Sequence, residues 1–182
     1  MSARLLEPLV RARLSLHNRL VLPPMATAKA GADGEMTDGL LGYYDEKSAG
    51  GAIGLVITEH SYIAMQGRSR AGQPSIADDA TVEGWKRLVD VVHRNGSKIA
   101  VQINHCGGAT SRAATGSETV GPSAITSLIG PGETPRALAA DEIATIVGQF
   151  ASAARRARLR SPRGAPGGAR PGHRRTRRSA CW

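Results

Sequence analysis

Three short clusters of polar residues have the composition of a binding or catalytic site. The first runs from Pro24 to Thr27, the second is Glu59-His60, and the third includes Gln102 and His105. Each cluster directly follows a short apolar segment of the kind that forms a buried strand in a parallel sheet. In a parallel α/β barrel, ligands bind at the rim formed by the carboxyl ends of the strands. The spacing therefore predicts that these clusters belong to one ligand-binding rim.

The cysteines and the other histidine candidates point to no further chemistry. No residue is placed by the pattern to act as a base for Cys106, which we interpret as a small buried apolar residue rather than a nucleophile. His60 and His93 lack the spacing of metal ligands, so no metal site is predicted. Cys106 and Cys181 are too few and too distant in sequence for a disulfide framework, which favours a reducing compartment.

The polar clusters need strands and helices to position them, and the apolar periodicity supplies three of each. We predict strands at residues 20–22, 53–57 and 98–101, with segments 14–16 and 20–22 pairing as a small N-terminal hairpin. Helices are predicted to begin at Thr37-Asp38, at Asp78-Asp79 and near Asp141-Glu142, where acidic or hydroxyl side chains can cap the first turn. The third helix carries one apolar stripe, formed by Ile143, Ile146, Val147, Phe150 and Ala154.

Strands that alternate with helices in this way imply right-handed crossovers and a parallel sheet, so the fold class is α/β. A doubly wound sheet and part of a (β/α)8 barrel both fit the pattern. Three strand-helix units are a fraction of a whole barrel, which takes about 250 residues.

The charge of the chain is concentrated at its carboxyl end. The 182 residues include 24 Lys and Arg against 15 Asp and Glu. Seven of the arginines lie in residues 159–182, which contain no acid, so residues 1–158 carry 17 basic and 15 acidic groups. The first 158 residues therefore have the composition of an ordinary globular domain, and the basic character belongs to the tail.

Two interpretations of residues 159–182 are open. The segment is either a disordered basic arm or the product of a reading-frame shift in a GC-rich gene, at a point where a fourth strand is expected. The Arg/Gly/Pro composition and the position of the change inside an element favour the second.

The N-terminal segment favours a cytoplasmic protein. Charged residues at Arg4, Glu7, Arg11 and Arg13 interrupt its apolar residues, so it lacks the continuous apolar core of a signal peptide. No later apolar run approaches the roughly 20 residues that span a bilayer. We therefore expect no membrane partner.

Five motifs, in unbroken order over residues 5 to about 158, resemble the N-terminal part of the old yellow enzyme family. They are Leu5-Leu-Glu-Pro-Leu9, Asn18-Arg-Leu-Val-Leu-Pro-Pro-Met25, Gly54-Leu-Val-Ile-Thr-Glu59, Gln102-x-x-His105-x-Gly107 and Gly121-Pro-Ser-Ala124. The resemblance implies that residues 1–158 form the first three units of a (β/α)8 TIM barrel. It also implies FMN at the carboxyl rim, NAD(P)H as the reductant, and an activated alkene or a flavin as the small-molecule substrate.

The resemblance also assigns residues to the FMN site. Pro24, Met25 and Ala26 match the loop beside the flavin ring, although Ala26 replaces the Thr or Cys of many relatives and Thr27 is one position out of register. Gln102 matches the glutamine that contacts the flavin pyrimidine, the alternative being an amide that caps a neighbouring loop. Glu59 matches a position near the flavin, the alternative being a solvated loop carboxylate.

The resemblance leaves His105 without a catalytic role, because the family's ligands for the substrate carbonyl lie elsewhere. We interpret it as a structural histidine, and no catalytic residue is assigned to this chain.

The segments that complete this site in relatives are absent from the sequence. These are the His-x-x-His or His-x-x-Asn pair, the tyrosine proton donor and the loops that bind the FMN phosphate. We therefore expect a truncated and inactive oxidoreductase fragment. The alternative from another class is a protein that binds nucleic acid or an anionic surface through its basic tail, but the tail lacks interleaved aromatic residues for base stacking. A flavodoxin-like module is disfavoured, because no Gly-rich phosphate-binding turn follows the first strand.

Overall fold

The computed structural model describes residues 4–12 and 14–158. The predictions for the tail at 159–182 lie outside these residues. The helices are α1 (Asp38–Ser48), α2 (Val82–Arg94), α3 (Arg112–Thr115) and α4 (Ala140–Ala157). The strands are β1 (Leu9–Arg11), β2 (Leu14–Leu16), β3 (Val21–Leu22), β4 (Leu55–Ile57), β5 (Ser61–Tyr62), β6 (Lys98–Ala100), β7 (Ile103–Asn104), β8 (Val120–Gly121) and β9 (Arg136–Ala137).

The central element is a three-stranded parallel sheet in the order β3-β4-β6. Leu22 pairs with Val56, and Val56 pairs in turn with Ile99, so the three strands are in register. The parallel pairing of β5 with β7 continues two of these strands beyond a short irregular step. The carboxyl ends of all three strands consequently point to the same edge. The predicted α/β class with a parallel sheet is confirmed.

The predicted N-terminal hairpin is wrong in its pairing. The antiparallel partners are β1 and β2, with Leu9 opposite Leu16, so the hairpin turns around residue 12 rather than residue 18. Val21 and Leu22 join the parallel sheet instead. The side chain of Asn18 explains the separation, because it accepts from the Leu20 N–H and donates to the Ala52 carbonyl, which directs the chain towards β4.

Helix α1 begins where the sequence predicted, because the Thr37 hydroxyl oxygen accepts from the Leu40 N–H at 3.1 Å. The helix ends before Gly50 and Gly51, whose positive φ angles of 76° and 68° favour glycine. Asp78 accepts from the Ala80 N–H and opens a single 3₁₀ turn that leads into α2.

The core lies between the parallel sheet and helices α1, α2 and α4. Its fully buried members include Leu40, Val56, Ile76, Leu88 and Val92. The Trp85 indole N–H donates to the Ser75 carbonyl at 2.8 Å, which satisfies the one polar group of that side chain. None of the helices described is long and apolar enough to cross a membrane.

The predicted apolar stripe of α4 is only half correct. Ile146 and Phe150 pack against the core, but Ile143 and Val147 are 47% and 63% exposed. The buried alanine is Ala153, not the predicted Ala154. Helix α4 therefore rests on the core with one side of its stripe and presents the other side to solvent.

Candidate functional site

The structure brings the three predicted clusters to one edge of the sheet. Pro24, Met25 and Ala26 follow β3, Glu59 follows β4, and Gln102 follows β6. Because the strands are parallel and in register, these segments lie side by side at the carboxyl edge. In open α/β sheets this is where ligands bind.

The segment after β3 offers unpaired backbone groups at this edge. Met25 is 56% exposed and Ala26 is also exposed. Within the part of the chain that the structure describes, the N–H groups of Met25 and Ala26 have no hydrogen-bond partner. Such exposed, extended backbone can pair with the edge of a flat ligand that carries both donors and acceptors.

Glu59 holds that segment in place. Its carboxylate accepts from the Thr27 N–H at 3.0 Å and from the Thr27 hydroxyl at 2.6 Å. The Glu59 N–H donates to the Tyr44 hydroxyl at 2.7 Å. Only 1% of Glu59 is exposed, so the alternative of a solvated loop carboxylate is wrong. Hydrogen bonds to a carboxylate are the stronger kind, and here they join the end of β4 to the segment after β3.

Tyr44 completes this contact from helix α1. Burial is the main cause that raises the pKa of its hydroxyl, and the neighbouring Glu59 carboxylate adds to the effect. The group therefore stays protonated at ordinary pH. The bond from the Glu59 N–H satisfies it as an acceptor.

The backbone of Gln102 is held by a hydrogen bond, whereas its side chain is exposed. Its carbonyl accepts from the Ser61 N–H at 2.8 Å, which anchors it to the neighbouring strand. The side chain is exposed, and its amide makes no hydrogen bond to any described residue. The alternative that it caps a neighbouring loop is therefore wrong, and the amide remains available as both donor and acceptor.

A second polar network at the same edge was missed by the sequence analysis. The buried side chain of Gln73 donates to His60 Nδ1 at 3.0 Å and to Asn104 Oδ1 at 2.9 Å. Its oxygen accepts from the Ser69 N–H at 2.7 Å. His60 and Asn104 lie within the strand-end clusters that the sequence indicated, whereas Gln73 belongs to a loop with no periodic signal and was missed.

His105 and Cys106 are both half-buried at the end of the third cluster. The His105 Nδ1 accepts from the Gly107 N–H at 3.2 Å, and burial lowers the pKa of the ring. A Cβ atom at Gly67 would lie 2.5 Å from that ring, so position 67 has no room for a side chain while His105 occupies this place. Cys106 is half-buried, not fully buried as predicted. This partial burial raises the pKa of its thiol, which opposes formation of a nucleophilic thiolate. No cluster of three or more His, Cys, Asp or Glu suited to a metal occurs within residues 4–12 and 14–158.

Comparison with known proteins gives one consistent result. The model of the NADH:flavin oxidoreductase / NADH oxidase family matches residues 4–160. The chain is 38% identical over 147 residues to an NADH oxidase of Thermoanaerobacter brockii, covering 80% of this chain and 22% of that protein. It is 36% identical over 144 residues to an NADPH dehydrogenase of Clostridium acetobutylicum, covering 79% of this chain and 41% of that protein.

Solved structures agree. The chain superposes on morphinone reductase in complex with tetrahydroNAD with a TM-score of 0.77 and 32% identity, over 84% of this chain and 46% of that one. For the old yellow enzyme homologue from Zymomonas mobilis the TM-score is 0.76 and the identity 29%, over 84% and 44% of the two chains. The chain therefore spans less than half the length of these relatives.

Proposed function

The chain belongs to the NADH:flavin oxidoreductase / NADH oxidase family, and on that premise we propose that its strand ends form one side of an FMN site. The resemblance to the old yellow enzymes is confirmed. In this proposal the described residues are the first three strand-helix units of a TIM barrel. The complete activity would be that of an NAD(P)H-dependent flavin oxidoreductase acting on an activated alkene.

One observation carries the proposal, namely that two unpaired sets of polar groups share the carboxyl edge of the sheet. Among the described residues, the backbone N–H groups of Met25 and Ala26 and the side-chain amide of Gln102 have no hydrogen-bond partner there. A flavin ring presents N–H and C=O groups along its edge, so both sets have a complementary partner. Glu59 fixes the first set through Thr27, and Ser61 fixes the second through the Gln102 backbone.

The residues of this chain would bind and orient the cofactor. FMN bound there would supply the hydride-transfer chemistry between NAD(P)H and the alkene. Ala26 brings no hydroxyl to the ring, and the Thr27 hydroxyl is already committed to Glu59. We therefore expect no side-chain hydrogen bond from this segment to tune the flavin, and recognition through backbone groups alone.

We further propose that this side of the site does not sustain turnover without the other. Within the described residues, β3 and β6 each pair on one edge only. Helix α4 exposes Ile143 and Val147. A closed barrel has no open sheet edges, and its helices cover one another's apolar faces. Open edges and exposed apolar faces are therefore expected of one part of a barrel. The substrate-binding and phosphate-binding groups would lie on the elements that cover them in longer relatives.

The test is a titration of the purified 182-residue chain with FMN, followed by flavin fluorescence. We expect saturable binding, and a Gln102→Leu variant should bind roughly tenfold more weakly because it loses about 1.4 kcal/mol of hydrogen bonding. Gln102→Asn keeps the amide but shortens the side chain, so it separates the loss of reach from the loss of polarity. NADPH oxidation that depends on added 2-cyclohexenone should be absent.

Two results would count against this account. A chain that shows no saturable FMN binding contradicts the proposed cofactor site. Sustained NADPH-dependent reduction of the enone contradicts the claim that the other side of the barrel is required.

A further inference from the structure

His60 stands at the carboxyl end of β4, beside the proposed FMN site, and its ring orientation is set by a buried glutamine. The Gln73 side chain is 1% exposed and lies between His60 and Asn104. Its Oε1 accepts from the Ser69 backbone N–H at 2.7 Å and from the Ser69 hydroxyl at 3.0 Å. A backbone N–H can only donate, so this contact fixes which end of the amide is oxygen.

The fixed amide determines the tautomer of His60. Because Oε1 faces Ser69, the Gln73 NH₂ group must face His60 and Asn104. One of its hydrogens is directed to Asn104 Oδ1 at 2.9 Å, and the other to His60 Nδ1 at 3.0 Å and the His60 carbonyl at 3.2 Å. Nδ1 therefore accepts, and the proton of the neutral ring sits on Nε2.

That proton has no acceptor within the described part of the chain. His60 Nε2 makes no hydrogen bond to a described residue, and it is not among the buried polar atoms that lack a partner. The nitrogen is thus accessible to solvent at the edge that also carries the exposed side chain of Gln102. A network of five hydrogen bonds to Gln73 holds a single exposed donor in one orientation.

We propose that His60 is a ligand-contacting residue whose Nε2–H donates to a carbonyl oxygen of the molecule bound at this edge. The inference deepens the proposed function and rests on it. A carbonyl oxygen is the fitting acceptor, since it is neutral and planar and both a flavin ring and an enone carry one. Gln73 acts through His60 and is a positioning residue.

The experiment follows the ¹⁵N resonances of the His60 ring in the full chain, where the protonated and unprotonated nitrogens have distinct shifts. We expect the proton on Nε2 in the unsubstituted protein. A Gln73→Glu variant places a carboxylate opposite Nδ1, so the proton should move to that nitrogen. His93→Leu, on the exposed side of α2, serves as the histidine control and should leave the His60 resonances unchanged.

Two separate ligand titrations show whether the carbonyl that accepts from His60 belongs to FMN or to the enone. FMN alone and 2-cyclohexenone alone are each titrated, and the one that contacts His60 should shift its Nε2–H resonance. A His60→Leu variant with an unchanged far-UV circular dichroism spectrum should bind that ligand about three- to tenfold more weakly. His60→Gln, which retains an N–H donor, should recover part of the loss.

The outcomes separate this inference from the proposed function. A proton found on Nδ1 in the unsubstituted chain overturns the inference whatever the chain binds. If FMN shifts the Gln102 amide but neither ligand shifts His60, the inference fails while the proposed function stands. If neither ligand binds at all, both fail.

Discussion

Helices α2 and α4 are amphipathic in the same way but differ in how completely the protein buries them. In α2 the apolar residues Leu88 and Val92 are fully buried beneath the sheet. In α4 the stripe is divided, because Ile146 and Phe150 touch the core while Ile143 and Val147 face solvent. Both helices have an apolar face in the sequence, so periodicity alone does not account for the difference, which depends on what lies opposite each helix.

The same contrast separates the two ends of the described fold. The first two strand-helix units are joined by buried polar contacts such as Glu59 to Thr27. Ion pairs that each include an exposed side chain instead join the start of α4 to β9, through Glu142 and Arg136, and its end to the turn before α2, through Arg156 and Asp79. Closed packing around the first two units thus lies beside the proposed FMN-binding edge, and the more open packing is at α4, the last helix that the structure describes.

The largest effect on stability is expected when the same substitution is compared in the two helices. Val92→Ala removes two methyl groups from a site with no solvent exposure and should lower the free energy of unfolding by about 2–3 kcal/mol. Val147→Ala removes them from a 63% exposed site and should change it by less than about 0.5 kcal/mol. Urea unfolding followed by circular dichroism measures both.

Equal decreases in the free energy of unfolding for Val92→Ala and Val147→Ala would contradict the difference in burial between α2 and α4. They would mean that Val147 is covered in solution, and a dependence of the unfolding midpoint on protein concentration would identify a second copy as the cover.

A smaller effect is expected from Glu59→Gln in the closed region. The amide keeps an acceptor for the Thr27 N–H but loses the charge that strengthens both bonds, so stability should fall by about 1 kcal/mol. The Thr27 amide should also exchange its hydrogen faster. Glu35→Gln is the matched control, because the exposed Glu35 carboxylate also accepts a backbone N–H, that of Asp33, at 3.0 Å.

Protection of the Thr27 amide that is equal in Glu59→Gln and in the unsubstituted chain would show that the segment after β3 is held by something else. The claim that Glu59 positions the proposed FMN-binding backbone would then be wrong.

The sequence predicted a parallel sheet because the strands and helices that alternate along the chain are marked by local signals. Thr37 caps α1 and Gly50 ends it, and both are read from residue type alone. The short apolar run at Ile53 to Ile57 likewise identified β4, because a strand buried on both faces has no polar alternation. The edge that carries the candidate site followed from the same signals.

The errors concern contacts between residues distant in sequence. The hairpin was placed one strand too late, since the choice depends on the bond from Asn18 to Ala52 across 34 residues. The role of Glu59 in holding Thr27 spans 32 residues, and Gln73 reaches Asn104 across 31. The exposed half of the α4 stripe could not be predicted either, since periodicity shows that a face is apolar and not that a partner covers it.

The smallest expected effect lies in the open region and depends on pH. The hydrogen bonds from Arg136, with a further bond from the Ala139 N–H, lower the pKa of Glu142 from 4.5 to about 2. A carboxyl group whose pKa is lower in the folded state stabilises the fold above its ordinary pKa, and that contribution is lost as the pH falls from about 4.5 towards 2.

Glu142→Gln should therefore lower the urea midpoint slightly at pH 6 and scarcely at all at pH 2.5. Glu83→Gln, an exposed carboxylate paired with Lys86 on α2, is the control. A midpoint difference for Glu142→Gln that persists unchanged at pH 2.5 would show that the carboxylate charge does not stabilise the start of α4, leaving the helix held by the packing of Ile146 and Phe150 and by the Arg156–Asp79 ion pair.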